Sequence, residues 1–124
     1  MFTWVKGNAY TPVATLYANN ITLNQAAAAL VQDVRWVMLG LDHENKRVAI
    51  RPVSKQEIDR KQVMLQQLHK VSLGKGYARI SNKQVMEEIA DMLKQPLNGD
   101  KFEAVYDEAS NLLVIELMKQ REKG

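Results

Sequence analysis

The chain has no cysteine, three prolines, two histidines and few aromatic residues, 6% of the total. Without thiols it forms neither a disulfide framework nor a thiolate zinc site, and it has no cysteine nucleophile. Long apolar runs are also missing. The longest, Ala26 to Val31 and Trp36 to Leu41, fall well short of the roughly 20 residues that cross a bilayer. The opening Met1-Phe2-Thr3-Trp4-Val5-Lys6 lacks the charged start and cleavage site of a secretory signal, so a cytoplasmic protein without membrane contact is expected. His43 and His69 each stand apart from a second histidine or an acidic cluster at ligand spacing, which argues against a metal site. Gly74-Lys75-Gly76 is no phosphate loop, because the spaced second glycine and the Gly-Lys-Ser/Thr ending are absent. No acid, base and nucleophile set emerges. The chain is therefore expected to be no enzyme and to carry no cofactor.

What is present suits one domain. A chain of 124 residues, 46% hydrophobic and 25% charged, can bury roughly two-thirds of its unfolded surface, enough for a core but not for a cleft between domains. Charge is distributed unevenly. Residues 1–45 carry a net −1, residues 84–124 a net −4, and residues 46–83 hold ten cations against Glu57 and Asp59, a net +8. Gathered on one face, those cations would attract phosphate; scattered, they would only solvate the surface.

Alternating apolar residues and turn signals predict strands at Phe2–Lys6, Val13–Tyr17 and Ile21–Leu23, with turns at Gly7-Asn8 and Asn19-Asn20. Asn24 reads as the cap of an alanine-rich helix over Gln25–Val34. Trp36–Leu41 and Arg47–Val53 flank a polar loop as a hairpin, with Val48 and Ile50 on one face and Arg47, Ala49 and Arg51 on the other. Ser54 and Glu57 have the spacing of a capping box that opens a partly helical connector, 54–69. The second half restarts with Lys70–Leu73, a turn and Tyr77–Ile80. Ser81 to Gln84 then has capping-box spacing, and the helix it opens lines up Val85, Met86, Ile89, Met92 and Leu93. On that helix Glu87 and Asp91 read as a solvated face. Phe102–Tyr106 and Leu112–Met118 form a second hairpin, followed by a charged tail expected to fray. Trp4, Tyr10, Tyr17, Trp36 and Tyr77 could stack on bases, but in a core this small they are expected to be buried.

The order strand, turn, strand, capped helix, hairpin occurs twice. At a shift of 57 residues, Ile21, Leu23 and Asn24 meet Ala78, Ile80 and Ser81. At a shift of 65, Val37, Leu41, Asp42, Val48, Ile50 and Val53 meet Phe102, Tyr106, Asp107, Leu113, Ile115 and Met118. The eight extra residues fall at Lys94–Lys101, where proline, asparagine and glycine signal a longer loop. Repeat one spans 10–53 and repeat two 70–118. Neither has enough strands to be stable alone, so an α+β, β-rich fold is expected, two tandem repeats interlocking as a pseudo-twofold barrel.

Gly76-Tyr77-Ala78-Arg79-Ile80-Ser81, followed by Gly99-Asp100-Lys101-Phe102 and Leu112-Leu113-Val114-Ile115, resembles the AbrB/SpoVT/MazE-like swapped-hairpin family. Ile21-Thr22-Leu23-Asn24 and Val48-Ala49-Ile50-Arg51-Pro52 repeat the likeness more faintly. Asn24 and Ser81 stand where the family commonly begins its helix with proline, and Thr22 stands where Arg79 would be expected. The resemblance implies a transcription regulator or antitoxin whose barrel grips double-stranded DNA, with Arg79 at a family DNA-contacting position. Lys75 and Lys83 flank Arg79 in sequence, and Arg47 and Arg51 add to the central basic block. The alternative is a protein-interaction or structural module, with a protein partner or a homo-oligomer formed through the acidic C-terminal helix.

Overall fold

A computed structural model describes residues 1–5, 11–31 and 34–121, with side chains to residue 118. Eight strands close into one antiparallel barrel, and the short helices are subordinate, so the fold is β-rich α+β. In chain order these are β1 (Val13–Leu16), β2 (Asn20–Leu23), α1 (Gln25–Ala28), β3 (Trp36–Asp42), β4 (Arg47–Val53), α2 (Lys55–Asp59), β5 (His69–Gly74), β6 (Tyr77–Ser81), α3 (Lys83–Leu93), β7 (Asp100–Asp107) and β8 (Leu112–Arg121). Around the ring the order is β1-β2-β6-β5-β3-β4-β8-β7, and β7 closes on β1. The ring thus has two halves, β1-β2-β6-β5 and β3-β4-β8-β7.

Alternation decides which residues fill the interior, because successive side chains on a strand point to opposite faces. Ala14 and Leu16, Ile21 and Leu23, Val48 and Ile50, Ala78 and Ile80, and Leu113 and Ile115 point inward and are buried. Each buried leucine or isoleucine contributes about 1.5–3 kcal/mol of transfer free energy. β2 and β6 run antiparallel side by side, so α1 and α3, which follow them, leave the barrel at opposite ends. Ala27 and Val31 at one end, and Met86, Ile89 and Met92 at the other, join the core. Pro52 occurs within β4, but β8 pairs only with Arg47–Ile50, so the missing N–H falls beyond that ladder.

Caps fix the helix starts. Asn24 Oδ1 accepts from Ala27 N and also from Val13 N, both at 3.0 Å, while Nδ2 donates to the Thr11 carbonyl at 2.9 Å. One side chain therefore ties α1 to the start of β1. Ser54 and Glu57 form the reciprocal capping box that their spacing predicts.

Several expectations are revised. Residues 2–5 form no strand and are exposed; Lys6, Tyr10 and the Gly7-Asn8 pair lie outside the described residues. The barrel is closed by β1 on β7, leaving no free edge there for another strand to extend. The first helix is one α turn continued as a 3-10 turn at Ala29–Val31, and the connector helix stops at Asp59. The cap of α3 is Asn82, whose side chain accepts from Val85 N at 3.0 Å; Ser81 is spent as the last residue of β6. Part of the second half's extra length lies in α3, eleven residues long, rather than in the loop alone. Residues 119–121 continue β8, paired with Lys101 and Phe102, instead of fraying.

Candidate nucleic-acid interface

The half-barrel β1-β2-β6-β5 is built from residues 11–24 and 69–82, which contain no aspartate or glutamate. Inward positions are taken mainly by the aliphatic core, so the polar residues of these segments, apart from the part-buried Asn24, His69 and Asn82, lie on the outer face or in turns. Arg79 sits in mid-sheet on the outer face of β6, with Thr22 of β2 on one side and Ser72 of β5 on the other. Its guanidinium carbon lies 5.4 Å from the centre of the Tyr77 ring, two residues earlier on the same face. That ring in turn covers Gly74, so a Cβ at Gly74 would overlap it. Gly76 takes φ +81° in the tight turn that carries Lys75 past the barrel rim.

Lys75 and Lys83 thus mark the two ends of β6, with Arg79 between them, and Lys70 is exposed on β5. At ~3.3 Å per strand residue β6 itself, Tyr77 to Ser81, spans about 13 Å, with Lys75 in the turn before it and Lys83 opening α3 after it. Thr22 Oγ1 donates to Asn20 Oδ1 at 2.7 Å on the same face, adding neutral hydrogen-bonding groups beside the cations. Among the described residues the salt bridges are Asp42–Arg47 and Glu57–Arg51, so Lys70, Lys75, Arg79 and Lys83 have no anionic partner there.

Arg47 and Arg51 do not join this group. Both project from β4, separated from β6 by β5 and β3, and both are engaged. Arg47 Nη2 donates to Asp42 Oδ2 at 2.8 Å, and Arg51 Nη2 to Glu57 Oε2 at 2.5 Å. Asp42 is held well below the usual carboxylate range, first by the Asn45 side chain and then by Arg47. Glu57 is lowered too, mainly by the Ser54 backbone amide and next by Arg51. The central basic block is therefore divided: Lys70, Lys75, Arg79 and Lys83 gather around one sheet, while Lys46, Arg47 and Arg51 lie on the other half-barrel.

Phe102 is buried in the core, but the described aromatic residues expected to be buried are not. Trp4 is 90% exposed, and Tyr17, Trp36 and Tyr77 are each exposed by more than a third; Tyr10 lies outside the described residues. Tyr17, Trp36 and Tyr77 alternate with inward aliphatics such as Leu16, Val37 and Ala78, which puts the rings on the outer parity. From sequence Lys70 is one cation of the central basic block, not singled out, and Ser72 draws no notice, although the absence of acid across 69–82 is there to be seen.

His69 has a structural partner. Asn82 Oδ1 is committed to Val85 N, which turns Nδ2 toward His69 Nδ1 at 3.2 Å. His69 Nδ1 must then accept, and burial lowers the imidazole's pKa in keeping with a neutral ring. Among the described residues no three His, Asp or Glu side chains come together as metal ligands, and no helix is long and apolar enough to cross a membrane. No family model, no curated protein and no solved structure matches this chain.

Proposed function

We propose that this is a non-enzymatic, AbrB-like DNA-binding protein, a transcription regulator that grips double-stranded DNA through the outer face of β1-β2-β6-β5. The observation that carries the reading is the acid-free sheet with Arg79 at its centre and Lys70, Lys75 and Lys83 around it. Phosphates are bound by cations and by neutral donors such as Thr22 and Ser72, and one carboxylate in the sheet would repel them. Arg79 is pre-oriented by the Tyr77 ring, which reduces the entropy lost when it meets a phosphate or a base edge.

The swapped-hairpin reading is supported by the strand pairing. Exchanging β1 with β5, β2 with β6, β3 with β7 and β4 with β8 turns the ring order into itself. The shift of 57 carries Ile21↔Ile80 onto Ala78↔Leu23 and leaves Thr22↔Arg79 mapped on itself. The shift of 65 does the same for Val48↔Ile115 and Leu113↔Ile50, around Ala49↔Val114. The hairpin loops also correspond, Lys46 and Asn111 both taking positive φ. The exchange is imperfect where β1 meets β7 over four residue pairs and β3 meets β5 over two. On this reading Thr22 and Arg79 straddle the pseudo-axis, so the grip on DNA is asymmetric.

The test is fluorescence anisotropy with a random-sequence duplex at low salt. Wild type is expected to bind, and Lys75→Ala and Arg79→Ala to weaken it several-fold each, while Arg51→Gln leaves it near wild type. Absent binding, or affinity indifferent to Arg79 and Lys75, ends the proposal.

A further inference from the structure

The other half-barrel has a different outer face. A row of small or apolar residues crosses all four strands in register, Gly40 beside Ala49, Ala49 beside Val114, and Val114 beside Val105. Val105 stands 56% exposed at one end of the row. A shallow depression of about 410 Å³ runs over Gly40, Ala49 and Val114, with Asp42 and Arg47 on one side and Leu112 and Asp107 on the other, and a Cβ at Gly40 would meet nothing nearer than Ala49 Cβ at 3.8 Å. Outward positions of a solvated sheet are ordinarily polar, and a contiguous apolar row there marks an interface.

We propose that this face binds a second copy of the chain through a twofold axis lying parallel to the strands, between β4 and β8. Such an axis lays β4 over the partner's β8 and β3 over its β7. Each Val105 then faces the hollow at Gly40 of the opposite copy, and each Val114 meets an Ala49. In the neighbouring row Arg47 lies between Asp42, its salt-bridge partner, and Glu116 on the same chain, so the same rotation brings each Arg47, with Asp42 still paired to it, over the opposite Glu116 as a second carboxylate. A knob, a hole, a cation and an anion are thus all on one surface in positions that one rotation matches, as an isologous contact requires. An acidic or basic partner protein is the poorer fit, because both signs of charge lie on this face. The contact uses the side of the barrel away from β2 and β6, and its existence does not depend on whether the protein binds DNA. Because two convex barrels touch over a limited area, association in the micromolar range is expected.

Sedimentation equilibrium of the full chain up to about 0.5 mM tests this directly. The mass is expected to rise from 14.1 kDa toward twice that value as concentration increases. Val105→Lys and Gly40→Val, both at exposed positions, should keep the far-ultraviolet spectrum of the fold and stay monomeric. Arg47→Glu and Glu116→Arg should each weaken self-association at least fivefold, and an equimolar mixture of the two should recover it as a heterodimer. A folding defect cannot produce that recovery. A wild type that remains monomeric, a Val105→Lys variant that dimerises like wild type, or a mixture that stays monomeric overturns the proposal.

Discussion

Counterion release makes the DNA reading quantitative. Each phosphate neutralised on duplex DNA contributes about −0.9 to the slope of log affinity against log salt. Four cations surround the acid-free sheet, Lys70, Lys75, Arg79 and Lys83, so the slope should be about −3.6 if each takes one phosphate. Raising salt fourfold, from about 50 to 200 mM, then weakens binding about 150-fold. Arg79→Ala should bring the slope to about −2.7 and the same salt step to about 40-fold. Arg51→Gln should leave the slope where it was, because the charge it removes is already paired with Glu57. Anisotropy titrations of one labelled duplex at four salt concentrations supply all three slopes. A wild-type slope shallower than about −1.5, or an Arg51→Gln slope that falls as far as the Arg79→Ala slope, refutes the assignment of the cations to one interface.

Three further outcomes follow from the geometry. Asn24→Ala removes three hydrogen bonds at about 1 kcal/mol each, so the melting temperature should drop by roughly 10 °C; Asn82→Ala, which loses two bonds, should cost less, and the reverse order would be inconsistent with these caps. His69 has a lowered pKa in the fold, so its contribution to stability is complete above about pH 6.5 and is lost as pH falls toward the folded-state value. Urea denaturation at pH 7.5 and 5.5 should show this loss in wild type and a smaller one in His69→Gln; identical losses would refute it. Gly74→Ala forces the Tyr77 ring off its seat and should weaken DNA binding without touching a cation, whereas Gly40→Ala, where a Cβ has room, should leave DNA binding intact.

The eight barrel strands, the Asn24 and Ser54 caps and the buried face of α3 were legible because each rests on a local rule: period-two alternation, a cap at fixed spacing, or a helical stripe. The same alternation also suggested a strand at residues 2–6, whose described part, 2–5, forms none. Local rules fail where two compete for one residue. Ser81 matches a capping box, yet pairing with Asn20 across β2 holds it in the strand, and Asn82 caps instead. Composition also misled about the aromatics, since a scarce ring looks like core until strand parity assigns it a side. Arg47 and Arg51 each have a carboxylate five or six residues away, Asp42 across the hairpin loop and Glu57 in the capping box, whereas no acid lies within seven residues of Arg79. That local difference was legible, but the pairing itself needed the hairpin register and the helix start.

By itself the chain indicated a β-rich α+β fold and where its hairpins turn, and it showed that two stretches, 11–24 and 69–82, carry no acid. Only the tertiary structure decided that those stretches, some 50 residues apart, become neighbouring strands of one half-barrel, and that Arg47 and Arg51 fall on the other half. The reason is physical. Strand alternation is written residue by residue, whereas closure of eight strands depends on which distant edges find each other, and that order fixes which charges share a face.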